Sequence, residues 1–169
     1  MKVVSPGSSI TLPFVEIVPS PFYMMSKSLE TLAVRLDRHC SNAFALASFL
    51  EEHPKVNRVW YPFLSSHPQY DLAKRQMRYG GGLVSFEVKG GMKSGMQFLN
   101  GIKMCSLSSN LGDTRTILTH PASTTHSKLK MEERTAVGIT DGLIRVSVGL
   151  EGIEDIKVDI DQALNAVSY

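Results

Sequence analysis

Between Ser28 and Glu52 apolar residues recur every three or four positions, with Leu29, Leu32, Leu36, Ala43, Leu46 and Leu50 on one stripe and Arg35, Asp37 and Arg38 off it. That period predicts a long helix with one buried face. His53-Pro54 ends it, because the residue before a proline is pushed out of the helical region. From Lys55 to Tyr61 the pattern changes to a short strand closed by Pro62, followed by a turn at Ser65–Gln69 and a short helix over Tyr70–Met77. Gly80-Gly81-Gly82 opens a strand over Leu83–Val88, so these glycines read as a bulge or close packing at a strand start rather than a phosphate loop, which a helix would have to follow. Met92–Asn100 reads as a helix with Met92, Met96 and Leu99 inward and Gly101 as its stop. Short strands are predicted at Met104–Leu107 and Thr116–Leu118, and a one- or two-turn helix at Met131–Ala136. Ile153, Ile156, Ile160, Ala163, Leu164 and Val167 mark a final helix, and Glu154 and Asp155 in its first turn suit the helix dipole.

Helices and strands alternate with short connections. This implies an α/β chain, an α+β two-layer sandwich with a small sheet and helices on one face. Residues 1–20 differ from the rest: four prolines by position 21 and several β-branched residues predict an extended arm, with one short strand at 14–18. The expected organisation is an arm over 1–21, a linking helix over 22–54 and an α/β domain over 55–169.

Composition narrows the function classes. A net charge of +2, with 43% hydrophobic and 20% charged residues, describes an ordinary globular chain and argues against nucleic acid or membrane as a partner. The start has one basic residue and no sustained apolar core, a poor signal peptide, so a cytoplasmic setting is expected. Cys40 and Cys105 then read as reduced, mostly buried thiols, with a single disulfide as the alternative. The five histidines have no ligand-spaced partners for zinc. Glu132-Glu133-Arg134 reads as a solvated helix face, and His120 before Pro121 as the holder of a turn.

Two stretches carry candidate chemistry. Leu107–His126 gathers hydroxyl and amide side chains, a glycine and a His-Pro, and Leu143–Glu151 places one arginine in an apolar run. Strand alternation puts Ile144, Val146 and Val148 on one face and Leu143, Arg145 and Ser147 on the other. An arginine held by stiff neighbours presents a planar fork that matches a carboxylate, and Ser109, Asn110 and Gly112 would add neutral donors and a close backbone approach. The same pattern also describes an ordinary arginine on the solvent face of a strand.

Several blocks occur together in one order: Ser28-Leu-Glu-Thr-Leu-Ala-Val-Arg35, His39-Cys-Ser-Asn-Ala43, Phe49-Leu-Glu-Glu-His-Pro54, Ser66-His-Pro68, Gly80-Gly81-Gly82, His120-Pro-Ala-Ser123 and Arg145-Val-Ser-Val-Gly-Leu-Glu151. With them, nearly everything after residue 21 resembles the C-terminal domain of the pyridoxal-phosphate (PLP) enzymes of cysteine and methionine metabolism. That family includes cystathionine γ-synthase and γ-lyase, methionine γ-lyase and the O-acetyl- and O-succinylhomoserine sulfhydrylases. Asn110-Leu-Gly-Asp-Thr-Arg115 with Ser123-Thr-Thr-His126 is most similar to the sulfhydrylase branch.

The resemblance implies a mostly antiparallel sheet with helices outside it, as in the C-terminal domain of fold-type I PLP enzymes. It implies that Arg145 binds the α-carboxylate of an amino-acid substrate, with Asn110 beside the same group, Ser109 at a position that varies with substrate, and Thr125 near the pocket. None of these is a catalytic residue. No lysine matches the one that holds PLP in the family, and the stacking tyrosine and phosphate loop have no counterpart. The chain is therefore expected to be the substrate-binding part of a transsulfuration or sulfhydrylation enzyme, binding no cofactor alone, with a truncated or rearranged reading frame as one explanation of its unmatched start. A complementing PLP-domain chain or a homo-oligomer would be its partner. The alternative is a cofactor-free oligomerisation or small-carboxylate-binding module.

Overall fold

A computed structural model describes residues 19–168; the strand expected at 14–18 lies outside them. The described residues divide into two units, one ending at Val34 and one beginning at Arg35. In the first, helix α1 spans Pro19–Glu30. Helix thus begins where an extended arm was expected to end. Prolines 19 and 21 are compatible with this because the first helical turn leaves its N–H groups unpaired and proline's fixed φ suits it.

Helix α2 (Leu32–Glu51) runs into the second unit, where it buries Cys40, Ala43, Leu46, Ala47 and Leu50. The predicted stripe holds only over this half. Leu29, Leu32 and Leu36 are exposed, so apolar spacing marked a face that the described packing leaves uncovered.

The second unit continues through strand β1 (Val56–Trp60), helix α3 (Tyr70–Gln76), strand β2 (Leu83–Val88) and helix α4 (Gly91–Gly101). Strands β3 (Ser106–Leu107) and β4 (Ile117–Thr119), a 3-10 turn at Pro121–Ser123, helix α5 (Met131–Ala136), strand β5 (Leu143–Ser147) and helix α6 (Ile153–Asn165) follow. The strands form one sheet in the order β1-β2-β5-β4-β3, antiparallel except for the β3–β4 pair.

Register follows from alternation. Val84, Phe86 and Val88 of β2 and Ile144, Val146 and Val148 of β5 and its extension point into a core closed by α2, α4 and α6. In α6, Ile156, Ile160, Ala163 and Leu164 lie on that side, as their spacing predicts. Helix α4 presents the expected face only in part: Leu99 packs against the core. Ser94, Gly95 and Phe98 point inward, and Met96 is exposed. The reason is close approach: a Cβ on Gly95 would lie 2.9 Å from Nε2 of His120, and one on Gly101 would lie 3.2 Å from Cα of Ala163. Glycines stand where His120 and Ala163 come this near, and Phe98 is the large side chain that the helix buries in the core.

The triple glycine is a packing device, as read. A Cβ on Gly80 would meet the Tyr61 ring at 2.6 Å, and Gly81 has φ of 85°. Tyr61 Oη donates to the Gly81 carbonyl at 3.0 Å. Both cysteines are buried and free. Among the described residues no helix is long and apolar enough to cross a membrane, and no cluster of His, Cys, Asp or Glu has metal-binding geometry.

Candidate functional site

The face of the sheet away from α2, α4 and α6 carries Arg145. On that face the register sets it between Thr119 of β4 and Ser85 of β2. Its inward neighbours Ile144 and Val146 are fully buried, so the β5 backbone has little freedom to move, and the guanidinium stands on a rigid base. Nη2 of Arg145 donates to the Ser109 carbonyl at 2.8 Å and lies 3.3 Å from the Asn110 carbonyl. Among the described residues its Nε and Nη1 have no hydrogen-bond partner.

The segment carrying Ser109 and Asn110 is tied at three further points. Thr119 Oγ1 donates to the Ser108 carbonyl. The Asn110 N–H donates to Ser108 Oγ at 3.3 Å. The Gly112 N–H donates to Ser147 Oγ at 2.9 Å, two residues along the same outer face from Arg145. Gly112 has φ of 81° with nothing within 4 Å of a Cβ, so its left-handed backbone requires glycine, not the close approach expected from sequence. The geometry brings Arg145, Ser109 and Asn110 together, through the backbone carbonyls of the latter two rather than through their side chains. Among the described residues Thr125 makes no hydrogen bond to them: its hydroxyl pairs with Nδ1 of the adjacent His126 at 2.8 Å.

A second network fixes the end of β5. The Thr116 N–H and hydroxyl both donate to the Glu151 carboxylate, at 2.6 and 2.9 Å, and the Gly149 N–H donates to Thr116 Oγ1 at 2.9 Å. Asn42 of α2 donates Nδ2 to the carbonyls of Gly149 and Glu151, each at 3.0 Å. The Arg-Val-Ser-Val-Gly-Leu-Glu block is thus a strand plus the apparatus that locks its exit. Sequence spacing hints at none of these partners, because Thr116 and Asn42 lie 35 and 109 residues from Glu151.

His120 is fully buried, its Nδ1 2.8 Å from Ser123 Oγ and its Nε2 2.8 Å from the Asp141 carbonyl. It holds the Pro121–Ser123 turn, as expected, and joins it to the start of β5. Arg134 corrects the reading of a solvated face. It is buried, and its Nη2 contacts Asp141 at 2.6 Å. An acid seven residues further on, brought back by a turn, captures it.

A cavity of about 370 Å³ adjoins this region, bounded by Met96, Leu99, Leu107 and Leu118 with Ser109 and His120 on its wall. Arg145 does not line it. The chemistry the outer face can perform is anion binding by the free edge of a positioned guanidinium, with a backbone loop set by Thr119 and Ser147 beside it.

Comparison with known proteins agrees with the block pattern. The profile of the family described as Cys/Met metabolism PLP-dependent enzyme matches residues 15–165. An L-methionine gamma-lyase from Fusobacterium nucleatum subsp. nucleatum is 50% identical over 149 residues, 88% of this chain and 38% of the relative. An O-succinylhomoserine sulfhydrylase from Pseudomonas aeruginosa is 47% identical over 150 residues, 88% of this chain and 37% of the relative. A cystathionine beta-lyase from Coxiella burnetii is 46% identical over 149 residues, 87% of this chain and 38% of the relative. The chain thus spans less than two-fifths of the length of these relatives, and it belongs to the Cys/Met metabolism PLP-dependent enzyme family.

Proposed function

We propose that this chain is the substrate-binding C-terminal part of an enzyme acting on amino acids of the O-acylhomoserine, homocysteine or cystathionine type. In this reading Arg145 binds the α-carboxylate, with Asn110, Ser109 and Thr125 around the substrate. The observation that carries it is the state of Arg145: one nitrogen is anchored to the Ser109 and Asn110 carbonyls while the rest of its fork has no partner among the described residues. A fork half held by backbone is pre-oriented, so an arriving carboxylate meets fixed donors at small entropic cost. Orientation is what this chain contributes. The relatives, named as two lyases and a sulfhydrylase, lie between 46 and 50% identity, so the proposal stops at the substrate class.

The described residues do not fit the family's cofactor. A lysine that holds PLP needs an enclosed amine, and no described lysine is buried. The two half-buried ones are committed elsewhere, Lys55 to the Val167 carbonyl and Lys157 to Glu154. The chain alone is therefore read as inactive and cofactor-free, in a cytoplasmic setting that keeps Cys40 and Cys105 reduced.

The test is titration of the chain with homoserine, O-succinylhomoserine and cystathionine, by calorimetry or NMR shift, beside an Arg145→Ala variant. Saturable binding that disappears in the variant supports the clamp. Binding unchanged by the variant removes Arg145 from the site.

The second reading, a cofactor-free oligomerisation module, is favoured by a different observation. Phe22, Tyr23, Met24 and Met25 of α1 are all exposed, four large apolar side chains in succession left in water. A second copy or a complementing PLP-domain chain would cover it. Sedimentation at increasing concentration tests this, and a monomer throughout, unaffected by Met24→Lys, rules out self-association.

A further inference from the structure

A cavity within the second unit lies between α2, the segment after β1, and α3, and it shares no lining residue with the outer face of Arg145. It encloses about 590 Å³, within the range of small-molecule sites. Phe44 of α2, Phe63, Tyr70 of α3 and Tyr79 supply its walls. Phe44 and Tyr79 are exposed, 48% and 41%, so these rings are not core residues glimpsed from outside.

Two cations stand among the rings. Lys74 Nζ lies 4.6 Å from the centroid of Phe63 and 6.0 Å from that of Tyr70, and the Arg78 guanidinium lies 5.2 Å from the centroid of Tyr79. Ring faces attract cations without neutralising them. Neither Lys74 nor Arg78 pairs with a carboxylate among the described residues, so two positive charges remain available to an anion. Asp37, the one carboxylate on the wall, opposes a second negative charge on the ligand.

The floor is set before any ligand arrives. Tyr61 is 1% exposed, pressed against Gly80, and its hydroxyl donates to the carbonyls of Gly81 at 3.0 Å and Cys40 at 3.4 Å. A rigid floor with ring walls offers stacking and edge contacts to an aromatic guest without bending its surroundings.

We infer that this cavity binds a small aromatic carboxylate, its ring between Phe44, Phe63 and Tyr70 and its carboxylate against Lys74 and Arg78. This inference is independent of the reading of Arg145.

The probe is 2-naphthoate, titrated into the full chain by calorimetry and followed by amide NMR shifts, with 2-naphthylmethylamine as the cationic counterpart. Saturable binding of the acid is expected, with the largest shifts at residues 74–80. Affinity should fall at least tenfold in a Lys74→Gln/Arg78→Gln double variant and stay unchanged in Arg145→Ala. The amine should bind at least tenfold more weakly than the acid. Lys74 and Arg78 are exposed, so the double variant keeps the fold, and Phe44→Ala, at an exposed ring, tests the wall separately with a similar loss. No saturable binding by the folded chain would overturn the inference. So would equal binding of acid and amine, full affinity in the double variant, or loss of binding in Arg145→Ala.

Discussion

Arg145 Nη2 donates to the Ser109 carbonyl at 2.8 Å, closing a link between residues 36 apart in the chain. One side chain thus both secures the loop beside it and faces outward with its remaining donors. A lysine has no planar fork with which to do both. Arg145→Lys should therefore weaken amino-acid carboxylate binding about tenfold or more while the chain stays folded. Titration alongside circular dichroism measures the two effects separately, and full affinity in the lysine variant would show that charge alone suffices.

Ser147 shares the outer face of β5 with Arg145 and accepts the Gly112 N–H at 2.9 Å. Ser147→Ala leaves that donor without its partner, which costs about 1 kcal/mol. Amide exchange at Gly112 should accelerate, while amides in the core strands keep their protection. Unchanged exchange at Gly112 would mean that other contacts hold the loop.

Gly112 and Gly149 make a contrast. At Gly112 only the positive φ resists a side chain, so Gly112→Ala should cost about 1–2 kcal/mol. At Gly149 a Cβ would lie 2.5 Å from the backbone at both Thr114 and Arg115, so Gly149→Ala should cost about 3 kcal/mol or more and disturb the Thr116–Glu151 network. Urea midpoints of the two variants should fall in that order, and the reverse order would contradict the packing at the end of β5.

Asp159, on α6, accepts from the backbone N–H groups of Lys103, Met104 and Cys105, at 2.8, 3.0 and 2.9 Å. Burial opposes ionisation of its carboxyl, yet these donors outweigh it and hold the pKa below the ordinary carboxylate value. A lowered folded-state pKa contributes stability that is present above the unfolded value, about 3.9, and is lost as pH falls through the folded one. Denaturant unfolding between pH 7 and pH 2 should show this acid loss, and Asp159→Asn, less stable at pH 7, should show less of it. Parallel pH profiles would assign the acid loss elsewhere.

Burial pushes both thiols up from their ordinary pKa, and the neighbouring Asp159 raises Cys105 further. Thiolate is the reactive form, so the folded chain should react with a disulfide reagent at pH 7.5 far more slowly than the unfolded chain, which exposes both. A thiol that reacts fast in the folded chain would contradict the packing around it.

Periodicity and alternation determined most elements of the second unit, because helical and strand spacing are local consequences of side chains meeting one core. Leu83–Val88 and Met131–Ala136 are legible residue by residue, as are the start and buried face of the final helix and the outward turn of Arg145. The ordered blocks likewise determined the family. What the tertiary structure decided is every partnership between distant residues. The inward face of α4 depends on His120 and Ala163 arriving opposite its glycines. Arg134 is buried because Asp141 returns to it, and Leu29, Leu32 and Leu36 stay exposed although their spacing matches the buried half of the same stripe. Spacing along a chain states which residues share a face. Only the packed fold states what that face meets, and so whether an arginine, a glycine or a leucine there is held, crowded or left in water.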